Sequence, residues 1–138
     1  MRAELAFLVQ HLQQVGYEYC EVLFGFAWGN DYYPTSKWDY VRFPVAGLTG
    51  EVERVDAAGM GCLGADDLFV LLPDSGVKFC FCHENDLHLS SISTDGVHAF
   101  FFRRWLEMGF VPSEWEMTEE GKRSRLLDGT NSECSQAG

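Results

Sequence analysis

The sequence predicts an α+β fold: a largely antiparallel sheet with an N-terminal and a C-terminal helix packed on it. Three observations carry this. Apolar residues recur with helical spacing near the start of the chain and again near residues 97–108, while the stretches between alternate with period 2. Turn residues separate the alternating stretches too closely for the helical crossovers that a parallel sheet needs. The chain has 138 residues, 46% of them hydrophobic, which suits one core. Residues 1–127 read as a single α+β domain, and 128–138 as a polar C-terminal tail.

Leu5, Leu8, Val9, Leu12 and Val15 share one face of a first helix, and Gly16 stops it. Residues 17–28 follow as a strand, with Cys20, Val22, Phe24, Phe26 and Trp28 on one side. Residues 29–36 carry several breakers and form a loop. A short strand over 38–43 ends at Pro44. Residues 51–57 read as another strand. Residues 68–72 form a compact apolar strand, and Pro73-Asp74-Ser75-Gly76 is a tight turn. Residues 77–90 then run as one long alternating strand, completing a hairpin. Ser93-Thr94-Asp95 offers the N-cap of the second helix. Val97, Phe101, Trp105 and Met108 form its stripe, widened by Phe100, Phe102 and Leu106; Gly109 and Pro112 close it. Trp115 and Met117 alternate with Glu114 and Glu116, which predicts a last strand.

The formal charge is −11, from 21 acids against 10 bases. Such a field repels phosphate backbones and anionic membranes, so neither nucleic acid nor a membrane is an expected partner. It attracts a basic protein and speeds the encounter. The five cysteines are odd in number and irregular in spacing, which fits a reducing cytoplasm better than a disulfide framework. Gln10, His11, Gln13 and Gln14 break up the first apolar residues, so no signal peptide is expected there, and no run approaches a membrane span.

If residues 80–89 are extended, Cys80, Cys82, Glu84, Asp86 and His88 lie on one face, and Phe79, Phe81, His83, Leu87 and Leu89 on the other. The second is the core side. The first reads as a solvated strip or as a partner-binding face, where carboxylates held on a strand meet Arg or Lys. Cys82, His83, Glu84, Asp86, His88 and His98 are all metal-ligand types, but their spacing matches no zinc pattern and a lone strand cannot wrap an ion. A nucleophilic Cys82 paired with His88 or His98 would need a lowered pKa, which Glu84 and Asp86 oppose. Cys80 and Cys82 serve more simply as small hydrophobes. The glycines of Gly59-Met60-Gly61-Cys62-Leu63-Gly64 lack a following helix, which excludes a dinucleotide site. Asp31, Tyr32, Tyr33 and Trp38 make an aromatic loop suited to contact with a protein. Arg103 and Arg104 suit the end of a helix. The basic run Lys122-Arg123-Ser124-Arg125 reads as a solvated face.

The run Phe79-Cys80-Phe81-Cys82-His83-Glu84-Asn85-Asp86-Leu87-His88-Leu89 leads into Phe101-Phe102-Arg103-Arg104-Trp105-Leu106-Glu107-Met108-Gly109-Phe110. With the small size and the acidity, it resembles the immunity proteins that bacteria make beside secreted toxins. The resemblance covers under half the chain. It implies a cytoplasmic protein that covers a toxin's active site, and it assigns no residue a role. The binding residues expected on physical grounds are Glu84, Asp86 and His88 on the strand, and Asp31, Tyr32, Tyr33 and Trp38 on the loop. No cofactor or metal is expected. A small metal- or cysteine-dependent hydrolase and an adaptor subunit of a larger complex are the alternatives.

Overall fold

The computed structural model describes residues 1–24, 40–93 and 96–111. Helix α1 spans Arg2–Gln14, strand β1 Tyr19–Phe24 and strand β2 Val41–Pro44. A 3₁₀ turn over Val45–Gly47 leads into helix α2, Leu48–Ala57. Strands β3, β4 and β5 cover Leu68–Leu72, Val77–Phe81 and Leu87–Ser90, and helix α3 covers Val97–Glu107. The five strands form one antiparallel sheet in the order β2-β1-β3-β4-β5. The α+β fold therefore stands, with a third helix between the two that periodicity showed.

Side-chain alternation divides the sheet into two faces. Cys20 and Val22, Leu68, Val70 and Leu72, Val77, Phe79 and Phe81, and Leu87 join the core. Leu5, Leu8, Val9 and Leu12 of α1, Leu48, Val52 and Val55 of α2, and Val97, Phe101 and Trp105 of α3 pack into the same cluster. All three helices thus cover one face. Phe101 sits edge-on to Phe79, with ring centroids 4.9 Å apart. On the seam between α1 and α3, Arg104 donates to Glu4 at 2.6 Å and lies over the ring of Phe7.

Three expectations are corrected. Residues 51–57 are helical, not a strand. The helix begins at Leu48, so the stripe Leu48, Val52 and Val55 has its first member outside the window that suggested a strand. An ion pair between Glu51 and Arg54 spans one turn of it.

The long strand over 77–90 is two strands joined by a tight turn. Cys82 N–H donates to Asp86 C=O at 2.9 Å, and Asn85 N–H to Cys82 C=O at 3.0 Å. Asn85 takes φ +65°, a left-handed conformation that asparagine tolerates better than most residues.

Helix α3 starts with Gly96 at its cap and no side-chain capping bond. Of its expected stripe, Val97, Phe101 and Trp105 are buried, while Met108, Phe100 and Leu106 are exposed.

The turn at 73–76 forms as expected, with Gly76 N–H donating to Leu72 C=O at 2.9 Å. Strand β1 begins at Tyr19, and β2 occupies the sheet edge, where Pro44 removes no ladder bond. No helix among the described residues is long and apolar enough to cross a membrane. The four cysteines among them, Cys20, Cys62, Cys80 and Cys82, are free thiols. Phe26, Trp28, the aromatic loop, the strand expected at Trp115, the basic run at 122–125 and the tail at 128–138 lie outside the described residues.

Candidate functional site

The face of the sheet away from the helices carries Glu21 and Leu23, Phe69 and Leu71, Lys78 and Cys80, and His88, by alternation from the core positions. Register then determines which of these meet. The β3–β4 turn pairs Leu72 with Val77 and, at the far end, Leu68 with Phe81. One step further along, Asp67 comes opposite Cys82. The β4–β5 turn pairs Phe81 with Leu87 and Cys80 with His88. One step outward, Cys82 comes opposite Asp86. Asp67, Cys82 and Asp86 thus form a row just beyond the strand ends, with Cys80 and His88 two residues further in on the same face.

Asp67 and Asp86 are the buried acids among the described residues, at 5% and 4% exposure. Burying a carboxylate is costly unless donors or cations meet it. Asp67 is met. Its Oδ1 accepts the backbone N–H of His83 at 2.7 Å and lies 2.7 Å from His83 Nδ1. The bond to Asp67 raises the pKa of His83, whose ring is otherwise exposed. Asp86 is less well met. Its Oδ1 is buried without a hydrogen bond, and His88 Nε2 stands 3.5 Å away in ion-pair range.

Cys82 lies between the two acids. Burial, then the neighbouring Asp86, pushes its thiol up to about 12. Burial and then Asp67 push Cys80 up to about 12 as well. Thiols held protonated are poor nucleophiles, which disfavours cysteine chemistry at either position. Tyr40 is raised too, by burial and then by Cys80 and Glu21, so its phenol lies within electrostatic reach of this face.

The expected site residues separate accordingly. Glu84 stands exposed at the tip of the β4–β5 turn beside His83 and Asn85. His88 is half-buried, with 40% of its side chain exposed. Asp86 lies inside, beneath them. His98 is on α3, where its ring stacks on Phe102. Asp31, Tyr32, Tyr33 and Trp38 lie outside the described residues. Asp67 was missed by sequence reasoning. The signal was present: a four-residue turn at 73–76 sets the pairing, and counting outward puts Asp67 against Cys82.

A second surface feature lies on the α1–α3 seam. It is a shallow depression of about 340 Å³ lined by Phe7, Phe100, Arg103, Arg104 and Glu107. His11 stacks on Phe100 beside it, with centroids 3.8 Å apart.

Compared with protein-family models, with curated proteins and with solved structures, the chain matches none.

Proposed function

We propose that this chain is a protein-binding domain that captures a basic partner, in the manner of immunity and inhibitor proteins that cover a toxin's active site. The observation that carries this reading is charge. Acids outnumber bases 21 to 10. Three of the described arginines already close on carboxylates: Arg2 on Asp56, Arg54 on Glu51 and Arg104 on Glu4. The net acidic charge steers a cationic partner toward the domain.

The β4–β5 turn is a suitable contact point. It is short, closed by two backbone hydrogen bonds, and tied to the start of β3 through Asp67 and His83. Glu84 is therefore held before contact, and little conformational entropy is lost on binding there. His88 flanks it. Tyr32, Tyr33 and Trp38 supply aromatic anchors of the kind that dominate interface affinity, and Asp31 adds a carboxylate beside them in sequence. The mechanism is occlusion: acids pair with bases around the partner's cleft while the domain fills its mouth. In this reading the protein works in a reducing cytoplasm.

The test begins with capture from native lysate at low and raised salt, with identification of the retained protein. Association of that purified partner is then followed by stopped flow. The expected result is a basic partner whose association slows as salt rises, and slows further with Glu84→Lys. A partner indifferent to both changes, or no specific partner at either salt, defeats the reading.

A further inference from the structure

The outer-face cluster contains an arrangement that charge steering does not use. Sγ of Cys82, a carboxylate oxygen of Asp86 and a ring nitrogen of His88 all lie within 4.8 Å of one another. A lone strand could not bring these residues around one ion. The turn at 82–86 does so, because it places Cys82 and Asp86 side by side and returns His88 along the neighbouring strand. Independently, Asp86 is 96% buried by its 4% exposure, and its Oδ1 receives no hydrogen bond. A buried acceptor left in that state calls for a donor or a cation.

We propose that Cys82 Sγ, Asp86 Oδ1 and His88 Nε2 bind one divalent cation of the zinc class. Thiolate, carboxylate and imidazole together form a borderline-soft donor set, which suits Zn²⁺ or Co²⁺ and not Mg²⁺ or Ca²⁺. On binding, the metal–sulfur bond replaces the S–H bond and the proton leaves to solvent. Thiolate and carboxylate then balance the two positive charges of the ion.

Tetrahedral coordination sets donors roughly 3.3–3.8 Å apart, given bond lengths of about 2.0–2.3 Å. Asp86 Oδ1 and His88 Nε2 already stand 3.5 Å apart, within that spacing, and all three donors lie within 4.8 Å of one another. Asp67 and His83 form a second group with Cys82 within the same 4.8 Å limit. Asp67 Oδ1 is already engaged twice by His83, so this pair serves as the outer layer that holds the turn in place.

The test uses the reduced full chain under anaerobic conditions, titrated with Co²⁺ and then with Zn²⁺. One Co²⁺ per chain is expected, with a sulfur-to-cobalt charge-transfer band and the visible bands of a tetrahedral ion, both lost on adding Zn²⁺. Cys82→Ser removes the charge-transfer band. Asp86→Asn and His88→Gln each weaken Co²⁺ binding by about tenfold or more. Cys62→Ser, whose thiol is not among the clustered donors, leaves binding unchanged. Absence of the band at stoichiometric Co²⁺, or its survival in Cys82→Ser, overturns the site. Should Cys82→Ser fail to fold, His88→Gln decides the matter, because it alters a partly exposed side chain: unchanged Co²⁺ affinity in that variant overturns the proposal.

Discussion

Asp67 Oδ1 accepts the backbone N–H of His83 at 2.7 Å, and the same oxygen lies 2.7 Å from Nδ1 of that histidine. One buried carboxylate thus clamps the start of β3 to the β4–β5 turn, 16 residues away in sequence. The two partners are unequal. Asp67 is buried, whereas the His83 ring is largely exposed. Replacing Asp67 by Ala strands a backbone donor and releases the turn. Urea unfolding of Asp67→Ala is expected to show a loss of about 1–3 kcal/mol. His83→Ala keeps the backbone bond and is expected to lose less. Equal losses in the two variants would show that the ring contact, not the backbone bond, holds the turn.

Helix α2 offers a direct check on the least legible element. Gly50 lies within it, and a Cβ built there meets nothing within 4 Å. Glycine in a helix interior costs roughly 0.5–1 kcal/mol relative to alanine. Gly50→Ala is therefore expected to stabilise the protein by about that amount. A destabilised variant in the same denaturant titration would contradict a helix at this position.

His11 gives a pH dependence whose sign follows from its surroundings. Its ring stacks on Phe100 and meets the edge of Phe101, with centroids 3.8 Å and 5.4 Å away. Burial lowers its pKa below 6.5. The unfolded chain therefore takes up this proton more readily than the folded one. The stabilising contribution is complete above the unfolded pKa. It declines as pH falls from there through the folded pKa, and it is constant below. The difference in unfolding free energy between the wild type and His11→Phe is expected to change over that window and to be flat above it. A difference that stays constant from about pH 8 to pH 5 would remove the burial argument.

Much of the fold was legible because it rests on neighbours in sequence. Leu5, Leu8, Val9 and Leu12 announce α1 by spacing alone, and all four are buried. Residues 68–72 and the turn at 73–76 announce the β3–β4 hairpin, and its register follows from the turn length. Two features were not legible in this way. The stripe of α2 is short, and its first member, Leu48, precedes the polar residues that suggested a strand. The break after Phe81 falls where His83 and Asn85 interrupt the apolar alternation, but the turn itself needs the left-handed φ of Asn85, which periodicity does not report.

The candidate site divides along the same line. Sequence alone determined which chemical groups exist between residues 80 and 88, how acidic the chain is, and that it forms an antiparallel sheet with helices against it. Tertiary structure decided which of those groups meet. Turning the chain at 82–86 buries Asp86, leaves Glu84 exposed, and sets Cys82 between two carboxylates, one of them from the residue just before β3. The physical reason is that periodicity reports only which side of an element a residue faces. Burial and contact depend on strand register, and register is settled where separate elements pack together.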